Sequence, residues 1–248
     1  RPYDMDDESS RFYMFGRDRE EVVANITQAI RCASVLDPAY GVFHAGNGSI
    51  PELISRNSSL DDLRVIDEYA EMVNTVVSGF PGGEPPFRIL FENLWWSGLK
   101  LLRDSEFRRL ESRIEFENWG ICLDTGHMMN CLPDIDSERD GIEALLKVFL
   151  SYSGDLIDRI ETVHFHWSAS YPYRSTFEEK VPGDDLMDFI SSAFVHIGSI
   201  DQHMPFDDPE CLGLIDILKP DYVTHEMPGS KVGMLEDFRQ QRSLFPGN

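Results

Sequence analysis

Short apolar runs of strand length recur along the chain, and each run ends in or beside a histidine or an acid. They cover residues 40–44, 87–93, 121–124, 161–167 and 221–227. An apolar run of this length followed by glycine or other turn residues is typical of a buried parallel strand. Residues 194–198 are interpreted as one more short strand, which leads into residues 200–205.

Between these runs, apolar residues recur at helical spacing. The predicted helices span residues 18–36, 59–77, 104–114, 136–149, 184–192, 209–218 and 234–244. Strands that alternate with helices predict an α/β fold with a parallel sheet. No linker divides the chain, so we predict a single domain over residues 1–248, in which the irregular residues 168–200 form a lid or a surface insertion.

The composition is strongly acidic, with 44 Asp and Glu against 22 Lys and Arg and a net charge of −22. Such a surface repels phosphate backbones and argues against a nucleic-acid partner, although it leaves room for a local basic groove. No apolar run approaches the roughly 18 residues that a membrane span needs. The start of the chain has no apolar leader, and the four cysteines form no C-x-x-C pair. We therefore expect a cytoplasmic protein with reduced thiols and no membrane partner.

The predicted strand ends carry four histidines and four acids of the types that bind metals. They are His44, Glu92, Asp124, His127, His164, Asp201, His203 and Glu226. In a closed barrel the carboxyl ends of the strands converge on one face. A mixed set of His and carboxylate groups suits Zn or Mn, with Mg or Co as further options.

Each of these residues also has an ordinary structural explanation. An acid after a strand often caps the next helix, and residues 201–203 could form a solvated loop. His196 is an ambiguous further candidate, whereas His166 and His225 are interpreted as structural. The joint occurrence of ligand-type residues at successive strand ends is the feature that favours a site.

Five short motifs carry a resemblance to a known family. They are Phe91-Glu92-Asn93, Leu123-Asp124-Thr125-Gly126-His127, Val163-His164-Phe165, Asp201-Gln202-His203-Met204-Pro205 and Thr224-His225-Glu226. In order and approximate spacing they resemble the xylose isomerase-like TIM barrels, which include sugar isomerases and epimerases and the apurinic/apyrimidinic endonuclease family 2 proteins. The resemblance covers nearly the whole chain, from about residue 38 to 230.

The resemblance implies a (β/α)8 barrel with a metal at its carboxyl face. In the sugar isomerases and epimerases of this family, the ligands of one divalent metal match Glu92, Asp124, His164 and Glu226. In the endonucleases, further ligands hold a cluster of zinc ions. The positions that match several of these further ligands are His44, His127, Asp201 and His203.

The chain departs from the family pattern at its start. Counting back from His44 by one β/α unit reaches Arg1. We therefore expect the chain to lack the first one or two β/α units of the barrel. Because an open barrel exposes strand edges, we expect an N-terminal fragment or a homo-oligomer partner to complete it.

The first functional hypothesis is a divalent-metal-dependent isomerase or epimerase of a sugar or sugar-like polyol. The metal would hold adjacent oxygens of the substrate and stabilise an enediolate. Glu92 and Glu226 would exchange a proton with carbon, and His127 would orient a substrate oxygen. An apolar wall for the sugar, or alternatively plain packing at the rim, is predicted for Trp95, Trp96 and Trp167.

Two alternatives stay open. One is an endonuclease IV-like zinc phosphodiesterase acting on abasic DNA, which Asp201 and His203 favour and the negative charge opposes. The other is a barrel that binds a metal or a small molecule without turnover.

Overall fold

Five parallel strands form one sheet in the order β1-β2-β3-β4-β5. The computed structural model describes residues 16, 18–46, 60–178, 186–227 and 233–245, with the backbone alone for 186–190. The strands are β1 (Tyr40–His44), β2 (Arg88–Glu92), β3 (Trp119–Asp124), β4 (Ile160–His164) and β5 (Tyr222–Thr224). All five lie where apolar runs predicted them, and the predicted α/β class is confirmed.

Helices connect the strands, as parallel pairing requires. They are α1 (Arg19–Ser34), α2 (Asp62–Val77), α3 (Asp104–Glu111), α4 (Thr125–Cys131), α5 (Glu138–Phe149), α6 (Gly154–Ile157), α7 (Tyr171–Thr176), α8 (Leu186–Ile200), α9 (Leu212–Leu218) and α10 (Gly233–Ser243). Side chains of Asp18, Asp61 and Ser137 cap the first turns of α1, α2 and α5. No helix in the described part of the chain is long and apolar enough to cross a membrane.

The core lies around the two strands β2 and β3. Ile89, Leu90 and Phe91 of β2 are fully buried, and every residue of β3 is buried. The outer strands β1 and β5 are only partly buried. Their first residues, Tyr40 and Tyr222, nevertheless have ring centroids 5.2 Å apart, so the sheet curls until its two outer strands face each other.

The strand predicted at residues 194–198 is wrong, because these residues belong to helix α8. Ala193, His196 and Ile200 form the buried positions, at helical spacing, while Phe194 and Val195 are exposed. A short apolar run cannot be assigned to a strand or a helix by hydrophobicity alone. The segment 168–200 therefore contains the helices α7 and α8, with residues 179–185 outside the described part, and its role as a lid stays a prediction.

Paired charges occupy the amino edge of the sheet. Arg88, the first residue of β2, forms an ion pair with Glu161 near the start of β4. Gly120 of β3 leaves room for this pair, since a Cβ atom there would lie 2.5 Å from the Glu161 carboxylate. The guanidinium of Arg159 lies 4.4 Å from the centroid of the Trp119 ring and donates to the Trp119 carbonyl. The cations and the carboxylate of this edge thus have partners inside the fold.

Candidate metal centre

Four neighbouring strands end on predicted site residues at the carboxyl edge of the sheet. His44 closes β1, Glu92 closes β2, Asp124 closes β3 and His164 closes β4. The parallel register sets Asp124 beside His164, and it sets His44 beside Glu92. Side chains at matched positions of adjacent strands project to the same side of the sheet. The pairing of the strands therefore brings together residues that are far apart in sequence.

Three carboxylates converge on one nitrogen of His164. The Nδ1 atom of His164 lies 3.3 Å from Glu92 Oε1, 3.3 Å from Glu226 Oε1 and 3.8 Å from Asp124 Oδ2. This nitrogen is buried, and none of these contacts is aligned as a hydrogen bond. On the far side of Glu92, its Oε2 atom lies 3.4 Å from His44 Nε2. The four residues that the resemblance assigned to one metal are therefore brought together.

A second group of predicted residues lies beside the first. The Oδ2 atom of Asp201 is 3.1 Å from His127 Nε2 and 3.0 Å from His203 Nε2. The other Asp201 oxygen, Oδ1, is buried without a hydrogen-bond partner. His203 also approaches Glu226, with 3.6 Å between its Nδ1 and Oε2, which links the two groups. Asp201 and His203 follow α8 rather than a strand, and Trp167 and Met204 form an isolated antiparallel bridge next to them.

Two residues that the sequence analysis did not single out hold the site in place. The Asn93 side chain accepts from the Asp124 backbone N–H at 2.8 Å and donates to the Asp124 carbonyl at 3.0 Å. Its own carbonyl lies 2.8 Å from His127 Nδ1. The Thr125 hydroxyl donates to the carbonyl of His164 at 3.0 Å. Asn93 lies in one of the family-like motifs directly after Glu92, and this position was the only signal in the sequence.

His166 belongs to the site, although its position favoured a structural role in the sequence analysis. Its Nε2 atom lies 2.9 Å from Asp124 Oδ2, and its ring stacks on the ring of His203 at 4.2 Å. The signal for this placement is the two-residue spacing from His164, which puts both side chains on one face of an extended segment. His225 instead contacts Gln241 and packs edge-on against Phe238.

His196 lies on helix α8 within an aromatic cluster. Its Nδ1 atom is 2.8 Å from the Tyr173 hydroxyl, and its ring centroid is 4.2 Å from that of Phe177. The groups of metal-binding side chains found in the described residues do not include His196. These contacts connect α8 with the segment around α7.

The three tryptophans of the predicted wall take different positions. The Trp96 ring centroid lies 6.1 Å from the ring centroids of His44 and of His127, so Trp96 borders the candidate site beside these two histidines. Trp95 packs edge-on against Trp96 at 5.1 Å. Trp167 donates from Nε1 to the Pro205 carbonyl at 2.8 Å. Trp96 therefore has the position that an apolar wall requires, and contact of any of the three with a sugar stays a prediction.

Acids and histidines of the site stabilise each other's charged forms. Burial alone would raise the pKa of Glu92, but the nearby imidazoles of His164 and His44 lower it to about 2. Burial alone would lower the pKa of His127, but the carboxylates of Asp124 and Asp201 raise it to about 10. Both ring nitrogens of His127 face oxygen acceptors, the Asn93 carbonyl and Asp201, as suits an imidazolium.

The donor set fits a divalent cation. Mutually close ligand atoms occur in the sets Asp124–His164–Glu226 and Glu92–Asp124–His127, with atoms within 4.8 Å of one another. A third such set includes Cys122, but burial followed by the nearby Glu92 raises the pKa of this thiol well above its ordinary value. The remaining oxygen and nitrogen donors suit Zn or Mn. A bound cation would take over the charge balance that protons on the histidines supply.

The chain belongs to the xylose isomerase-like TIM barrels, the AP endonuclease 2 family, which match it over residues 15–231. This family is the one that the five motifs predicted. No curated protein matches the chain.

Solved structures with a similar fold include a D-tagatose 3-epimerase-like protein, at 18% sequence identity and a TM-score of 0.52, covering 94% of this chain and 71% of that one. A structure described as AsfvAP:AG has 13% identity and a TM-score of 0.45, covering 90% of this chain and 68% of that one. The first of these likenesses supports the barrel fold.

Proposed function

We propose that this chain is a divalent-metal-dependent isomerase or epimerase that acts on a sugar or a sugar-like polyol. The observation that carries the proposal is the convergence of Glu92, Asp124 and Glu226 on the Nδ1 atom of His164, at 3.3, 3.8 and 3.3 Å. These four residues would hold the ion. The family and the epimerase-like fold relative support a sugar-type substrate.

When bound, a divalent ion supplies Lewis-acid polarisation of nearby hydroxyl and carbonyl oxygens of the substrate. Glu92 ends β2, whereas Glu226 follows β5, so the two carboxylates reach His164 from different strands. One of them takes a proton from the carbon next to the carbonyl, and the other returns a proton. With its pKa lowered to about 2, Glu92 is ionised at neutral pH, as both a ligand and a base must be.

His127 is the group that orients a substrate oxygen. Its imidazolium form donates both N–H groups inside the fold, to the Asn93 carbonyl and to Asp201, and its positive charge lies beside Glu92, whose Oε1 is 3.5 Å from Nδ1. A fixed positive charge in this position attracts a substrate oxygen and favours the negative charge that develops on it as carbon loses its proton. Trp96, next to His127, supplies an apolar surface for the sugar ring.

A second candidate is a zinc phosphodiesterase acting on abasic DNA. The observation that favours it is the second group of His127, Asp201 and His203, in which one Asp201 oxygen meets both imidazoles at 3.1 and 3.0 Å. Two adjacent ligand groups would suit a cluster of more than one metal ion, which can activate water and neutralise a leaving oxygen. The net charge of −22 opposes binding to a phosphate backbone.

Metal content per chain separates these candidates. The protein would be purified without added metal or chelator and measured by elemental mass spectrometry. We expect about one divalent ion per chain, because the proposed ligands Glu92, Asp124, His164 and Glu226 supply a single set of four. Two or three zinc ions, together with nicking of abasic duplex DNA, would favour the phosphodiesterase instead.

Proton transfer is then tested with ketoses and polyol-derived ketones in D2O. Proton NMR is expected to show deuterium entering at the carbon next to the carbonyl, since a base that removes this proton returns one from solvent. The matched control is Glu161→Gln, which changes a carboxylate at the opposite edge of the same sheet and should keep the exchange. Stoichiometric metal without exchange in any substrate would overturn the isomerase and leave a binding protein.

A further inference from the structure

His166 is completely buried and touches two residues of the candidate centre. Its Nε2 atom lies 2.9 Å from Asp124 Oδ2. A carboxylate oxygen only accepts hydrogen bonds, so Nε2 carries the proton and donates. The opposite nitrogen, Nδ1, is buried and has no hydrogen-bond partner. The His166 ring is therefore oriented by one hydrogen bond, from Nε2 to Asp124, and by the side chains that pack against it.

That packing is against His203. The two rings stack with centroids 4.2 Å apart and planes inclined by only 9°. Ligand atoms of His166, His203 and Glu226 also lie within 4.8 Å of one another. The lone pair of an imidazole nitrogen lies in the plane of its ring, so the lone pairs of two stacked, nearly parallel rings do not converge on one ion. In addition, His166 Nε2 already faces Asp124. His166 is thus better placed to support ligands than to act as one.

The start of helix α4 makes room for this ring. A Cβ atom on Gly126 would lie 2.2 Å from His166 Cε1 and 2.4 Å from His166 Nδ1. The preceding residue, Thr125, bonds through its hydroxyl to the backbone N–H of His166 at 3.2 Å. Thr125 and Gly126, the two central residues of the Asp124-Thr125-Gly126-His127 motif, therefore fix the position of His166.

We infer that His166 is a positioning residue of the metal centre, which orients the Asp124 carboxylate and holds the His203 ring. Asp124 Oδ1 accepts from the His127 backbone N–H at 2.6 Å, and Oδ2 accepts from His166, so the two bonds together set the plane of the carboxylate. A carboxylate held in this way meets a cation without first being reoriented. This inference rests on the proposed function, because it requires that the centre binds a divalent ion.

The experiment is a Co²⁺ titration of the full chain, followed by the visible absorption of the bound ion and by calorimetry. His166→Phe keeps a flat ring for stacking and removes the donor. We expect it to weaken Co²⁺ binding about 10- to 100-fold and to change the absorption bands, the effect typical of losing a partner that orients a ligand. His166→Gln, whose amide nitrogen can occupy the place of Nε2, is expected to recover much of the affinity.

Two further variants test the same point. Gly126→Ala leaves the chemistry of every site residue intact but displaces the ring, and should weaken binding as His166→Phe does. His225→Gln, at a histidine that packs against Phe238 outside the described metal sets, should bind Co²⁺ like the parent chain. Circular dichroism checks that each variant is folded, and if His166→Phe does not fold, Gly126→Ala and His166→Gln decide.

The outcomes are distinguishable. If the parent chain binds no stoichiometric Co²⁺, the proposed metal centre is wrong, and His166 has no centre to position. If the parent binds Co²⁺ and both His166→Phe and Gly126→Ala bind it with the same affinity and spectrum, the proposed function stands and the role of His166 is overturned.

Discussion

The two edges of the same sheet carry opposite arrangements of charge. At the amino edge, Arg88 pairs with Glu161, and Arg159 lies over the Trp119 ring. At the carboxyl edge, four carboxylates meet histidines in all of their ion-pair contacts within the described residues. They are Glu92, Asp124, Asp201 and Glu226.

The two kinds of ion pair differ in whether they are complete without a ligand. A guanidinium carries a permanent charge, so an Arg–Glu pair is complete without any ligand. An imidazole balances a carboxylate only while it is protonated, and it gives up that proton to bind a metal. The amino edge is therefore complete as folded, whereas the carboxyl edge carries imidazole and carboxylate donors of the kinds that bind a divalent cation. In α/β barrels the same division holds, with active sites at the carboxyl ends of the strands.

The largest effect is expected from Glu226→Gln at the carboxyl edge. Removing one of the two carboxylates proposed to transfer the proton should lower turnover about 10²- to 10⁴-fold. The free energy of unfolding should stay close to that of the parent, because the Glu226 side chain is 32% exposed. Deuterium exchange in D2O and urea unfolding measure the two quantities, with Glu161→Gln as the control for the exchange. Retained turnover in Glu226→Gln would contradict its assignment as an acid or base.

Metal binding should stabilise the fold through the carboxyl edge. A ligand at 100 times its Kd that binds only the folded state adds about 2.7 kcal/mol to the free energy of unfolding. We expect excess Zn²⁺ or Mn²⁺ to raise the Tm, EDTA to reverse the rise, and Glu92→Gln to reduce it. Thermal unfolding with and without metal checks this. An equal rise in parent and Glu92→Gln protein would place the ion elsewhere.

A substitution at the amino edge should lower the stability of the fold and leave metal binding unchanged. Arg88→Ala leaves the Glu161 carboxylate, whose side chain is only 17% exposed, without its cation. We expect a loss of about 1–2 kcal/mol in the free energy of unfolding, between the values for surface and buried pairs. Metal stoichiometry should not change. Loss of metal from folded Arg88→Ala protein would show that the two edges are not independent.

The smallest effect is expected outside the sheet, where Asp67 forms ion pairs with Arg109 and Arg113. Hydrogen bonds from Arg109 and then Arg113 hold the pKa of Asp67 below its ordinary value of 3.8, although burial opposes them. A lowered pKa stabilises the fold above the unfolded-state value, and the contribution is lost as the pH falls through the folded-state value. Asp67→Asn should therefore cost about 0.5 kcal/mol at pH 7 and progressively less below pH 4, measured by urea unfolding. A difference that persists at pH 2 would point to packing instead.

Much of the candidate site could be predicted from the sequence, because parallel strands align their carboxyl ends. Glu92, Asp124 and His164 each close an apolar run. The sheet register pairs Asp124 with His164, and it pairs Glu92 with Cys122, two residues before Asp124 and on the same face. The strand predicted at residues 194–198 failed for a local reason. Five residues of mixed size and polarity fit either period, and the burial of Ala193, His196 and Ile200 at helical spacing agrees with the helix.

The sequence by itself determined the five strands, the family, and which residue types meet at the carboxyl edge. These properties follow from hydrophobic periodicity and from residues at the ends of short runs, both of which are local. The tertiary structure alone decided that Asn93 clamps Asp124, that Gly126 leaves space for His166, and that His166 stacks on His203. Such contacts join separate segments through packing, and their distances depend on how the whole sheet curls, which no local pattern encodes.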